Sequence, residues 1–154
     1  MKHSGIKFAL LAFAVIAATV LTVARPSHHP ERRAINPPGM PAGLPFSGGV
    51  LAGDTLYVSG QAGLENGKLV EGGIGPETQA TLENVKKVVE LAGLQMSDVV
   101  TVNVYMTDMR DFAEMTKVYR TFFPEPRPAR TTVQVAGLVG NAHVEISAIA
   151  VKQH

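Results

Sequence analysis

Cysteine is absent from the 154-residue sequence. That excludes a disulfide framework, a thiolate nucleophile, a thiolate metal site and a lipoprotein-type lipid anchor. The fold must be held by packing alone. An excess of one charge is also lacking, with 14 Lys+Arg against 13 Asp+Glu. If an N-terminal segment carrying Lys2 and Lys7 is removed, 12 basic residues face 13 acidic ones. Such a balance is a poor electrostatic footprint for nucleic acid, and no nucleic-acid partner is expected.

One long hydrophobic run is present, from Phe8 to Val23, broken only by Thr19 and Thr22. It follows Lys2 and Lys7 and ends in the small-residue triplet Thr22-Val23-Ala24. Positive flank, short apolar core and small residues are the layout of a secretory signal peptide. The run falls short of the roughly 20 residues of a full membrane span. Residues 1–24 are therefore read as a signal peptide cleaved after Ala24, with a retained membrane anchor as the alternative. The protein is expected in the periplasm or secreted, or anchored facing outward. Contact with a membrane is expected only if the segment is uncleaved.

Residues 25–45 are dominated by Pro, Gly and charge without any period, and read as a flexible Pro-rich linker. His28 and His29 fall in this tether and are not assigned to a metal. The domain is expected over 46–154, with order beginning near Val50. Two short strands, Val50–Ala52 and Thr55–Ser59, flank a Gly53-Asp54 turn. A helix is expected from Pro76, with Leu82, Val85, Val88, Val89 and Ala92 on its apolar face and Gly93 as its stop. Asp98–Met106 alternates as a strand. A second helix is expected from Met109 or Arg110 to Phe123, with Phe112, Met115, Val118 or Tyr119, and Phe122 as its stripe. Strands follow at Thr131–Val135 and His143–Val151. The order ββ-α-β-α-ββ predicts an α+β fold, two helices on one face of a mixed, mostly antiparallel sheet. Tyr105, Ile149 and Val151 fall on the other face, which points to cover by a partner subunit.

Two charged residues sit oddly. Arg130 opens a strand after Pro128-Ala129, and Glu145 lies within an apolar strand. Paired as a hairpin about Gly140, these strands would bring residues 130 and 145 to the same end. The pair is then either a structural Arg–Glu bridge or a site. In the second case the guanidinium grips a small carboxylate through parallel hydrogen bonds, and Glu145 handles a water. His143 reads as a surface histidine.

On these residues the chain resembles the RidA/YjgF family, formerly called the endoribonuclease L-PSP family. The strongest match is Pro128-Ala129-Arg130-Thr131 with Val133 and Val135, then Val144-Glu145-Ile146 and Ala148-Ile149-Ala150-Val151. Supporting matches are Leu56 to Gln61, Thr81 to Val85, Val104 to Met109, and Asp111-Phe112. Together they cover residues 46 to 153. The resemblance implies a chorismate-mutase-like homotrimer with pockets between subunits. It further implies hydrolysis of 2-iminopropanoate and 2-iminobutanoate to 2-oxo acids and ammonia, without cofactor or metal. It makes Arg130 the substrate-carboxylate residue and Glu145 the residue that positions water, with Ser59 and Gly60 lining the pocket. Three substrate-binding positions depart from the deaminase branch: Phe46 replaces its tyrosine, Thr116 its asparagine and Thr132 its cysteine. A small-molecule-binding or chaperone-like trimer and an endoribonuclease are the alternatives.

Overall fold

The structure is a computed structural model that describes residues 31–153. The N-terminal hydrophobic run and the His28-His29 pair lie outside these residues. Among the described residues no helix is long and apolar enough to cross a membrane.

Among the described residues, eight strands and two α-helices make the fold: β1 (Arg32–Ile35), β2 (Gly49–Ala52), β3 (Thr55–Ala62), β4 (Leu64–Glu65), β5 (Lys68–Leu69), α1 (Ile74–Leu91), β6 (Val99–Met106), α2 (Phe112–Tyr119), β7 (Ala129–Gln134) and β8 (Val144–Val151). Six strands form one sheet in the order β1-β2-β3-β8-β6-β7. Every pairing in it is antiparallel except β6 with β7. The short β4–β5 hairpin turns at Asn66-Gly67, both at positive φ as a tight two-residue hairpin turn demands.

Period-two alternation decides which face of the sheet is buried. Leu56, Val58, Val102, Val104, Met106, Val144, Ile146, Ala148 and Ala150 point to one side. There they meet Leu82, Val85, Val88 and Val89 of α1 and Met115 and Tyr119 of α2 in a single core. This is the expected two-layer α+β arrangement. Helix α1 begins two residues before Pro76, whose missing N–H costs nothing in the first turn. It ends as expected at Gly93, with φ of 83°. Leu94 N–H donates to the Val89 carbonyl and Gly93 N–H to the Glu90 carbonyl, which satisfies two terminal carbonyls.

Three expectations are corrected. The linker reading of 25–45 fails at residues 32–35, because β1 pairs antiparallel with β2, from Arg32 opposite Ala52 to Ile35 opposite Gly49. Ile35 is 3% exposed and joins the core. An edge strand needs only backbone donors and acceptors on one side, so it shows no period. The second α-helix is shorter than expected. Met109–Asp111 is a 3₁₀ turn, α2 ends at Tyr119, and Phe123 rather than Phe122 is fully buried. Finally, β7 and β8 are not a hairpin. Strand β7 pairs parallel to β6, with α2 as the crossover that a parallel pair requires, and β6 separates β7 from β8.

Candidate functional site

The change of partner for β7 decides where Arg130 points. Arg130 lies beside Val102 and Thr132 beside Val104. Both valines are fully buried on the helix-covered face. Neighbouring residues in register share a face, so Arg130 rises from the edge of the sheet under α2. Its Nη1 donates to Thr116 Oγ1 at 3.3 Å. Its guanidinium carbon stands 4.7 Å from the Tyr119 ring centroid and 5.3 Å from that of Phe112. Two aromatic faces and one hydroxyl therefore orient the cation without neutralising it. Among the described residues it has no carboxylate partner.

Beside it opens a groove of about 200 Å³, lined by Thr116, Tyr119, Arg120, Arg127, Pro128 and Arg130. Among the described residues two buried hydroxyls lack a hydrogen-bond partner: Tyr119 Oη, whose residue lines the groove, and Thr132 Oγ1, two residues along β7 from Arg130. Burial pushes the Tyr119 phenol up to about 12, against the opposing pull of Arg130 and Arg127. The phenol therefore stays protonated at neutral pH and presents a donor.

Glu145 sits on the other face. It lies beside Tyr105 on one side and Ala62 on the other, in a strand whose alternate residues Val144 and Ile146 are fully buried. The β3–β8 register shifts between Val58 and Gln61, so Ser59 and Gly60 fall in an irregular stretch. A Cβ on Gly60 would meet Glu145, with Cδ at 2.7 Å, so only glycine leaves room for this carboxylate. Among the described residues the carboxylate accepts no hydrogen bond. Ser59 Oγ donates to the Ser47 carbonyl at 2.7 Å, and Ser59 N–H to the Gly48 carbonyl at 3.0 Å. Those bonds hold down the loop that carries Phe46, which is 56% exposed.

The sequence-predicted residues thus separate into two sets. Arg130, Thr116 and Thr132 gather at the β7 edge under α2. Glu145 and Gly60 meet on the opposite face, with Ser59 tying down the Phe46 loop. Neither an Arg130–Glu145 bridge nor a joint site exists within one chain, and the expectation that both fall at the same end is corrected.

Sequence reasoning placed Phe112 and Tyr119 in a core stripe and missed that they flank a guanidinium. Their spacing of seven with Thr116 midway was the available signal. His143 is exposed, as expected of a surface histidine. The ring is half exposed, but its Nδ1 lies 2.7 Å from Oε2 of Glu77. Glu77 is 1% exposed. Its Oε1 accepts from His143 N–H at 2.6 Å and Val144 N–H at 3.1 Å, fastening the start of β8 to the first turn of α1.

Comparison with known proteins bears on the family and the fold. The family model described as Endoribonuclease L-PSP matches residues 38–152. A 2-iminobutanoate/2-iminopropanoate deaminase from Dermatophagoides farinae is 43% identical over 123 residues, 78% of this chain and 96% of that protein. The crystal structure of RidA from an Antarctic Psychrobacter is 37% identical, with a TM-score of 0.73 over 78% of this chain and 99% of that one. The YjgF gene product from E. coli is 35% identical, with a TM-score of 0.73 over 79% and 99%.

Proposed function

The chain belongs to the endoribonuclease L-PSP family, the RidA/YjgF proteins, and on that premise we propose that it hydrolyses reactive 2-imino and enamine acids. The substrates are of the 2-iminopropanoate and 2-iminobutanoate type, and the products are 2-oxo acids and ammonia. Arg130 carries the reading. It is held by Thr116 and two aromatic rings, lacks a carboxylate partner among the described residues and faces an open groove. A guanidinium so placed takes a substrate carboxylate through two parallel hydrogen bonds. Water then adds to the C=N carbon while Glu145 accepts its proton, and the nitrogen is protonated. The carbinolamine loses its hydroxyl proton as the C–N bond breaks, and ammonia leaves.

Arg130 and Glu145 occupy opposite faces of one sheet. The reading therefore has them meet across a subunit interface, in a homotrimer whose pockets each take Arg130 from one copy and Glu145 from the next. The half-buried Tyr105, Ile149 and Val151 support cover of the outer face by that neighbour.

The test is ammonia release from 2-iminopropanoate generated in situ. Arg130→Ala is expected to lower kcat/KM by roughly 10²-fold, since it removes a charged partner from the bound carboxylate. A variant at the full rate overturns the proposal. Binding of 2-oxo acids without any turnover would replace it with the small-molecule-binding reading, to which Phe46, Thr116 and Thr132 would then contribute. RNA cleavage that survives Arg130→Ala would favour the endoribonuclease reading instead.

The run Phe8–Val23 supports export to the periplasm or beyond, with an outward-facing anchor as the alternative. Mass spectrometry of the mature N-terminus from fractionated cells tests this. Export with cleavage predicts Arg25 as the first residue, in the periplasmic or secreted fraction. An intact N-terminus in the cytoplasm rejects both forms.

A further inference from the structure

We infer that the groove beside Arg130 selects substrates with a second carboxylate, and that Arg120 and Arg127 are the residues that select them. The inference rests on the deaminase reading of the same site and narrows its substrate class to small 2-imino dicarboxylic acids.

The observation is an imbalance of charge. Of the six residues lining the groove, Arg120, Arg127 and Arg130 are cationic, while Thr116, Tyr119 and Pro128 are neutral, so no carboxylate lines it. Among the described residues Arg127 is paired with Glu125, at the exposed surface. Arg130 is held by a hydroxyl and two rings, and Arg120 has no acidic partner among the described residues. Like charges gathered on one small concave surface repel, and a focused positive potential draws anions. A monocarboxylate bound at Arg130 leaves Arg120 without an acidic partner among the described residues and Arg127 shared only with the exposed carboxylate of Glu125, outside the groove lining. A dicarboxylate places its second anion among them.

The two rim arginines reach the groove from different segments. Arg120 is the C-cap residue of α2, where a cation also complements the negative end of the helix. That role accounts for Arg120 alone. Arg127 precedes β7 in the stretch between Phe123 and Ala129 and gains nothing from a helix end. Tyr119, Arg127 and Arg130 line the same groove, and the Tyr119 phenol feels the charge of both cations. The volume, about 200 Å³, is below the roughly 300–1,000 Å³ of sites for drug-sized ligands. A four- or five-carbon diacid is the matching class.

The test compares kcat/KM for 2-iminoglutarate and 2-iminobutanoate, each formed in situ by an amino-acid oxidase with catalase present. In parallel, calorimetry measures binding of 2-oxoglutarate and 2-oxobutanoate, which requires no chemistry. The wild-type protein is expected to favour the diacid by at least about tenfold in both, the effect of one added charge-assisted contact. Arg120→Ala and Arg127→Ala each reduce that ratio, chiefly through KM, and the double variant brings it to about one or below. Both side chains are exposed, so circular dichroism is expected to report an unchanged fold. A wild-type protein with no preference for the diacid overturns the inference, as does a preference that survives in the double variant. If no imine is hydrolysed but 2-oxoglutarate binding is tighter and depends on both arginines, the deaminase reading fails and the diacid groove stands.

Discussion

At the scale of single residues, Gly60 shows how one missing methyl group shapes the site. Glu145 fills the space a Cβ would take there. Gly60→Ala is expected to displace the carboxylate by rotating its side chain, because the obstructing atoms are the far end of a flexible group. The change in stability should stay below about 1 kcal/mol, less than a rigid core clash costs. If Glu145 is the base, the fall in kcat should be about tenfold, since a displaced carboxylate loses part of the proton-transfer benefit. A thermal melt beside steady-state kinetics checks the split, and a large loss of stability with unchanged kcat would contradict it. Tyr119 gives a second residue-level prediction. Its phenol ionises near 12 in the folded protein against an ordinary 10.0. Above pH 10 the unfolded chain ionises first and gains stability. Folding stability therefore falls between pH 10 and 12 and levels off beyond, by up to about 2 kcal/mol. Chemical denaturation across that window should show this slope, and Tyr119→Phe should remove its share of it. At this scale much was legible. Arg130 and Glu145 stand out by type and setting and Gly60 enters only through the family resemblance, but the aromatic floor under Arg130 reads as ordinary core because both roles use the same side chains at the same spacing.

Elements carry a different kind of information. Helix α1, strand β6 and strand β8 follow from their periods, because each buries one face along most of its length. Strand β1 does not, since only Ile35 of its four residues is buried. The parallel pairing of β7 was hidden for another reason. Partner choice depends on where α2 returns the chain, and alternation within β7 is the same beside either neighbour. The clamp between α1 and β8 belongs to this scale as well. Glu77 looks like an ordinary acidic residue in a first helical turn, yet tertiary packing buries it and turns it toward the backbone of His143 and Val144. Glu77→Ala strips two strand-end N–H groups of their acceptor and is expected to cost about 3 kcal/mol. Glu77→Gln keeps an oxygen for both donors, so its cost should be about half as large. Urea midpoints measure the difference. Equal, small losses in both variants would mean that water replaces the carboxylate and that the clamp does not hold β8.

For the whole molecule, the question is which surfaces one chain leaves unfinished. The outer sheet face presents Tyr57, 51% exposed, beside the half-buried Ile149, and Val133, 40% exposed, beside the half-buried Tyr105. Glu145 lies on this same face, and Arg130 on the other. Sequence periodicity could assign each residue to a face, but a site divided between copies leaves no trace in the spacing of either half. The proposed division has a quantitative consequence. Arg130→Ala and Glu145→Gln assemblies should each be nearly inactive. When the two variants are co-expressed and assemble at random, a pocket with intact Arg130 and intact Glu145 forms wherever the Glu145→Gln chain supplies the arginine and the Arg130→Ala chain the glutamate. That combination arises in about a quarter of interfaces in any closed ring of identical contacts. Mixed trimers purified through two different tags, which removes the homotrimers, each hold one such interface of three and should therefore recover about a third of the wild-type kcat per chain, and sedimentation should show the same size as the wild type. If both residues of each site came from one chain, every site would contain a defect and mixing would restore nothing.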